Sequence, residues 1–90
     1  MPRARRRVVV RGRVQGVFFR DTVRRRAESR GVGGWVTNRP DGAVEAVFEG
    51  DPDAVSSMVE FSHEGPRGAE VSDVEVSEEE PEGLSGFEIR

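Results

Sequence analysis

The chain has 90 residues, no cysteine and no lysine, so its 14 basic residues are all arginine, set against 17 acidic residues. This length fits one domain, and the missing residue types exclude disulfides, thiolate chemistry, cysteine-ligated metals and Schiff-base mechanisms. No apolar run reaches the ~18 residues that a membrane span needs, and the arginine-rich start does not lead into a secretory signal. We expect a single cytoplasmic domain over residues 1–90, with residues 1–5 as a disordered basic tail.

Charge is divided unevenly along the chain. Residues 1–30 carry eleven arginines and two acidic residues, whereas residues 31–90 carry three arginines and fifteen acidic residues. The basic part can attract nucleic acid or a small anion. Runs of charge are, however, usually solvated faces, and the arginines of the first predicted helix fit that description as well.

The first strand and the first helix are predicted from the first thirty residues. A β-branched run at residues 8–10 predicts a strand over residues 6–13. Asp21 or Thr22 can cap the helix that follows, which ends near Ser29.

Residues 12–20 form a glycine-containing turn between these two elements. A turn that leads from a strand into a helix aims several backbone N–H groups at one point. Arg20 lies at its mouth and adds a permanent positive charge with a planar set of donors. The turn is therefore predicted to hold a phosphate with backbone amides and one side chain.

A β-hairpin is predicted next. Its strands cover residues 35–38 and 43–49, and the second of them alternates apolar and charged side chains as a half-buried strand does. The connection, residues 39–42, contains a proline that fixes φ and a glycine that tolerates positive φ.

One more helix and two more strands are predicted beyond the hairpin. Asp51 before Pro52 is a strong helix start, and apolar residues at helical spacing continue the helix to about Glu64. The fourth strand has a register break between its first two valines, and an acidic loop over residues 77–85 precedes a short last strand. The apolar residues of these two strands are Val71, Val74, Val76, Phe87 and Ile89.

The resulting order is β-α-β-β-α-β with an additional terminal strand. It predicts an α+β fold of the split β-α-β, or ferredoxin-like, type. In this fold one mostly antiparallel sheet carries two helices on one face.

Two segments together resemble the signatures of the acylphosphatase family. Residues 12–20 match G-x-V-Q-G-V-x-[FY]-R, and residues 34–45 match G-x-V-x-N-x-x-D-G-x-V-E. The resemblance extends over roughly residues 6–90. It implies that the chain hydrolyses a small-molecule acyl phosphate to a carboxylate and inorganic phosphate, without a metal or another cofactor.

The resemblance also implies roles for individual residues. The arginine that closes the first motif, Arg20, binds the phosphate, and the asparagine of the second motif, Asn38, orients the attacking water. Backbone N–H groups complete the phosphate cradle. They belong to Gln15, Gly16, Val17, Phe18 and Phe19. The side chain of Gln15 can hold the loop or contact the substrate, and the sequence favours neither.

Structural roles compete with these assignments. Arg20 can form a surface ion pair with Asp21, and Asn38 can serve as a turn residue. His63 lies near the end of the second helix, where a cation suits the helix dipole.

The implied chemistry suits these residue types. An acyl phosphate has a carboxylate leaving group, which departs without a proton at neutral pH, so the reaction needs no general acid. Phosphoryl transfer depends mainly on positioning and on charge stabilisation. An asparagine such as Asn38 has a donor and an acceptor but is a poor base. We hypothesise that a phosphate oxygen of the substrate accepts the proton from water.

Three functional classes are compatible with the sequence. A free-standing acylphosphatase is expected over the related domain of larger carbamoyl-transfer maturation proteins, because the chain ends at 90 residues. We expect it to be a monomer. A nucleic-acid-binding module needs aromatic residues on its central strands, and residues 43–49 carry acidic residues instead. A domain that binds anions without turnover is the third class. We expect neither a nucleic-acid nor a membrane partner.

Overall fold

A computed structural model describes residues 2–90. The elements, in chain order, are β1 Ala4–Arg13, α1 Phe19–Ser29, β2 Gly33–Asn38, β3 Val44–Gly50, α2 Pro52–Glu64, β4 Glu70–Glu78 and β5 Phe87–Ile89. The strands form one sheet in the order β4-β1-β3-β2-β5. Only the pairing of β2 with β5 is parallel, and the other neighbours are antiparallel. The predicted ferredoxin-like α+β fold is therefore confirmed.

β1 begins at Ala4, earlier than the sequence predicts, and pairs there with Gly50 of β3. Residues 4 and 5, which the sequence assigns to a basic tail, thus belong to the sheet. Arg5 is only 5% exposed, because carboxylates from distant parts of the chain surround its guanidinium. Met1, also assigned to the tail, lies outside the described residues.

The register break predicted in β4 is a bulge. Arg11 of β1 pairs with Asp73, and Gly12 pairs with Val71, so that Ser72 has no counterpart. Gly12 has a φ of 129°, and a Cβ atom there would lie 2.1 Å from a carbonyl oxygen of β4. Only glycine fits this close approach, where β1 leaves the sheet toward the turn before α1.

The hydrophobic core lies between the sheet and its two helices. Apolar side chains alternate along the strands and recur at helical spacing on α1 and α2, which places them on the facing surfaces. The fully buried core residues include Val8, Val10, Val36 and Phe48 from the sheet and Val23, Ala27, Val55 and Met58 from the helices. Among residues 2–90, no helix is long and apolar enough to cross a membrane.

Charged side chains cover the other face of the sheet. Arg7 pairs with Glu45 and, at 2.7 Å, with Glu79. The guanidiniums of Arg7 and Arg90 lie over the ring of Trp35, at 5.3 and 4.8 Å from the ring centroid. Trp35 therefore covers the sheet, and cations stack against its π-system.

A buried carboxylate at the end of β3 holds the segment that follows β4. Glu49 is fully buried, and it accepts hydrogen bonds of 2.6 to 2.9 Å from the backbone amides of residues 82–84. Arg3 and Arg5 pair with the same carboxylate at 3.2 and 3.3 Å. We call Glu49, these amides and these two guanidiniums the Glu49 clasp.

The Glu49 clasp stabilises the charged form of its carboxylate. Burial by itself would raise the pKa of Glu49, but the backbone hydrogen bonds and the bond from Arg3 outweigh it and lower the pKa to about 2. The chain thus supplies its own anion to this set of amides.

Candidate functional site

Helix α1 begins at Phe19, before both of the caps that the sequence predicts. Its N-cap is Phe18, which has left-handed backbone angles of φ 58° and ψ 26° and makes no side-chain capping bond. The prediction that Asp21 or Thr22 caps this helix is therefore wrong. The left-handed residue already turns the chain into the helix, so both polar residues lie within its first turn.

Backbone amides remain without acceptors throughout this helix start. The first helical hydrogen bond runs from the Thr22 N–H to the Phe18 carbonyl, at 3.0 Å. The amides of residues 15–21 donate to no oxygen of residues 2–90. Gly16, at φ 76°, is also left-handed, and left-handed residues in a turn of this kind are typical of anion-binding nests. The helix dipole adds positive potential at the same place.

A cavity of about 240 Å³ lies against this helix start. It brings together Arg20 and Asn38, the two side chains that the motifs single out. Its other lining residues are Gly16, Phe18, Phe19, Asp21 and Ile89. A larger groove of about 780 Å³ lies between α1 and α2 and contains neither Arg20 nor Asn38, so the smaller cavity is the candidate site.

Arg20 is half-buried and pairs with no carboxylate among residues 2–90. The competing surface ion pair with Asp21 is absent from this part of the chain. The two oxygens of Asp21 instead bind Arg24 and Arg25, each at 3.1 Å. The guanidinium of Arg20 thus lies at the cavity with no carboxylate partner among residues 2–90.

Asn38 is the last residue of β2 and pairs with Val44 of β3. It therefore lies in the strand, and the competing role of a turn residue does not describe it. Its Oδ1 atom is buried and has no hydrogen-bond partner among the described residues. A buried acceptor without a partner costs ~1–3 kcal/mol, a cost that a water donating a hydrogen bond would remove.

The Gln15 side chain ties the cradle to the hairpin that carries Asn38. Its Nε2 atom donates to the carbonyl oxygens of Arg39 and Ala43, both at 2.9 Å. The sequence left open whether the Gln15 side chain holds the loop or contacts the substrate. The structure shows that it holds the loop. The backbone amide of Gln15 remains among the unpaired donors of the cradle.

The hairpin turn is braced as well. Asp41 accepts a hydrogen bond of 3.1 Å from the Ala43 amide and pairs with Arg39 at 3.1 Å. The backbone hydrogen bond, followed by the charge of Arg39, lowers the pKa of Asp41. Asp41 therefore fixes the turn that follows Asn38.

Ile89 lines the cavity although no sequence signal placed it there. β5 pairs in parallel with β2, and this pairing sets Ile89 beside Val36. A strand as short as β5 carries no pattern that specifies its neighbour, so the sequence alone could not locate this residue.

Other polar candidates lie away from the cavity. Nδ1 of His63, in the last turn of α2, is 3.0 Å from the Val59 carbonyl oxygen. Glu45 pairs with Arg7 on the charged face of the sheet. In residues 2–90, no three histidine or acidic side chains are grouped so that they could hold a metal ion.

Comparison with known proteins shows to which family the chain is related. The acylphosphatase family model matches residues 6–89. An acylphosphatase of Haloarcula marismortui is 58% identical over 90 residues, which span 100% of this chain and 99% of the relative. An acylphosphatase of Rubrobacter xylanophilus is 61% identical over 85 residues, or 93% of this chain and 77% of the relative. The structure of an acylphosphatase from Coxiella burnetii has a TM-score of 0.92 and 42% identity, covering 98% and 93% of the two chains.

Proposed function

Because this chain belongs to the acylphosphatase family, we propose that the cavity at the start of α1 is the site where it hydrolyses acyl phosphates. The chain is a hydrolase that cleaves the carboxyl–phosphate bond and releases a carboxylate and inorganic phosphate. The unpaired amides of residues 15–21, with the unpaired Arg20 beside them, support this location most strongly.

Arg20 and the backbone amides of residues 15–19 hold the phosphoryl group. The guanidinium can donate two parallel hydrogen bonds to phosphate oxygens, and the amides meet the remaining oxygens. Charge on these oxygens changes during transfer, and donors that are already in place stabilise it without reorganising. Because the Gln15 side chain fixes this loop to the hairpin, the donors keep their positions relative to Asn38.

Asn38 orients the attacking water. Its buried Oδ1 accepts a hydrogen bond from the water, whose oxygen attacks phosphorus in line with the bond to the acyl oxygen. The phosphorus–oxygen bond to the acyl group breaks, and its electron pair leaves with the carboxylate. The proton of the water passes to a phosphate oxygen of the substrate, because Asn38 cannot take it.

Release of inorganic phosphate from acetyl phosphate tests this assignment, with a chelator present throughout. We expect the wild type to turn over under chelator. Asn38→Ala should lower kcat by about a hundredfold or more, while the inhibition constant of inorganic phosphate changes little. Thr37→Ala is the matched control, because neighbouring strand residues point to opposite faces and Thr37 does not line the cavity. Its hydroxyl donates to the Arg90 carbonyl oxygen at 2.9 Å.

Two results would contradict the proposed roles. One is loss of wild-type turnover under chelator. The other is an Asn38→Ala variant that binds phosphate much more weakly but keeps its kcat.

We further propose that the enzyme acts as a monomer in the cytoplasm, on a small-molecule acyl phosphate and without a nucleic-acid partner. The ion pairs of Arg5 with Glu49 and Glu79, and of Arg7 with Glu45, support a structural role for much of the basic segment. Light scattering at several protein concentrations tests the monomer, and a binding titration with single-stranded RNA at low salt tests the expected lack of affinity.

A further inference from the structure

Large apolar side chains are exposed at only a few positions of residues 2–90. They are Phe18, Val76 and Ile89, with 79%, 41% and 40% of their surface exposed. Two of the three, Phe18 and Ile89, line the cavity that contains Arg20 and Asn38. Exposed apolar surface beside a cavity that contains a charged side chain is typical of a place where an apolar part of a ligand binds.

Phe18 has the most unusual position of the three. Its backbone is left-handed at φ 58°, a conformation that bulky residues rarely adopt outside functional sites. Phe18 lines both the cavity and the neighbouring groove between α1 and α2. Beyond Phe18, the apolar lining of this groove consists of Val17, Phe61 and Pro66.

The geometry of phosphoryl transfer indicates which of the two exposed residues of the cavity, Phe18 or Ile89, lies on the side of the acyl group. The attacking water and the leaving oxygen lie on opposite sides of phosphorus, so the acyl group projects away from the water that Asn38 holds. Ile89 is on β5, beside the strand that carries Asn38. Phe18 is in the cradle loop, and it lines both the cavity and the groove between α1 and α2. The acyl group therefore extends over Phe18.

We propose that Phe18 contacts the acyl part of the substrate and makes the enzyme prefer acyl phosphates with apolar, ring-sized acyl groups. This inference rests on the proposed phosphate site, because the position of the phosphoryl group defines where the acyl group lies. The Phe18 amide stays in the cradle whatever side chain the residue carries, so the two roles of Phe18 can be separated.

The test compares benzoyl phosphate with acetyl phosphate, whose acyl group has only a methyl. We expect Phe18→Ala to lower kcat/KM for benzoyl phosphate about tenfold more than it lowers kcat/KM for acetyl phosphate. The loss should lie in KM, because an apolar contact holds ground state and transition state alike. Phe18→Leu should retain most of the preference. Val76→Ala, which removes an exposed apolar residue outside the cavity, is the matched control.

Inhibition by inorganic phosphate, measured for every variant, reports on the cradle itself. A loss for benzoyl phosphate in Phe18→Ala that exceeds both the loss for acetyl phosphate and the weakening of phosphate inhibition supports the inference. A ratio of the two kcat/KM values that stays within twofold of wild type overturns it. So does a parallel loss for both substrates with weaker phosphate inhibition, which would mean that Phe18 only shapes the cradle.

Ile89→Ala tests separately on which side of the cavity the acyl group lies. A larger selective loss for benzoyl phosphate in Ile89→Ala than in Phe18→Ala overturns the assignment, because it would place the acyl group on the Asn38 side. A wild type that hydrolyses neither substrate would contradict the proposed site itself, and the acyl contact with it.

Discussion

The Glu49 clasp and the cradle at the start of α1 are built from the same groups and are used in opposite ways. In the clasp, consecutive amides of residues 82–84 and the guanidiniums of Arg3 and Arg5 surround a carboxylate of the chain itself. In the cradle, the amides of residues 15–19 and the guanidinium of Arg20 donate to no carboxylate among residues 2–90.

This difference shows how a chain can divide anion-binding groups between stability and function. A carboxylate that belongs to the fold is always present, so the clasp contributes to the stability of the folded state. Donors without an intramolecular acceptor stabilise nothing until an external anion arrives, and they are then free to hold it. The following predictions would break or sharpen this contrast.

The largest effect is expected from Arg20→Lys. Lysine keeps the charge but loses the planar pair of donors, so phosphate affinity and rate should both fall. We expect kcat/KM for acetyl phosphate to decrease roughly a hundredfold to a thousandfold, or about 3–4 kcal/mol, in steady-state assays. The thermal stability without ligand should change little, because Arg20 pairs with no carboxylate among residues 2–90.

Arg24→Lys is the control for that experiment. Arg24 lies on the same helix, pairs with Asp21 and Glu28, and does not line the cavity. Near wild-type turnover in Arg20→Lys would show that Arg20 does not bind the phosphate. The contrast between a structural clasp and a functional cradle would then fail.

Glu49→Gln should break the clasp without touching the cradle. It leaves buried amides and the buried Arg5 with a neutral partner, and we expect a loss of about 3 kcal/mol in the free energy of unfolding. Chemical denaturation at neutral pH measures this loss. The kcat of the folded fraction should stay close to that of the wild type, because Glu49 does not line the cavity.

The pH dependence of stability provides the matching check. The pKa of Glu49 is about 2 in the fold, below its ordinary value of 4.5, so its contribution is complete above pH 4.5 and is lost as the pH falls toward 2. The wild type should therefore lose about 3 kcal/mol more stability than Glu49→Gln across that range. Equal losses in the two proteins would mean that other acidic residues dominate the acid response.

The smallest effect is expected from inorganic phosphate. At a concentration of about ten times its dissociation constant, phosphate should stabilise the wild type by about 1.4 kcal/mol. Thermal melts with and without phosphate should show this rise in the wild type and in Glu49→Gln, and little of it in Arg20→Lys. A rise of equal size in Arg20→Lys would place the anion elsewhere than in the cradle.

Local signals account for most of what the sequence predicts correctly. Asp51 followed by Pro52 starts α2 where expected, because the capping carboxylate accepts bonds from the Asp53 and Ala54 amides. Arg20 and Asn38 were available from their motifs, and the sheet then brings them to one cavity.

Features that depend on distant partners were not predictable. By composition, the arginines at the start of β1 look like a solvated tail. Their partners Glu49 and Glu79, which bury Arg5, lie far along the chain, so no local pattern reveals them. The start of α1 was missed for a related reason. The first amides of α1 are not capped by a side chain, and capping side chains are the signal from which sequence analysis predicts a helix start.

Trp35 is the single tryptophan of a chain that has no tyrosine, and two guanidiniums contact its ring. Its fluorescence therefore reports on one location, the charged face of the sheet on the side away from the helices. Unfolding removes both cations from the indole at once, which gives an optical probe that needs no label. Arg7 also pairs with Glu79, close to the clasp, so the emission should follow the opening of that part of the molecule during acid unfolding.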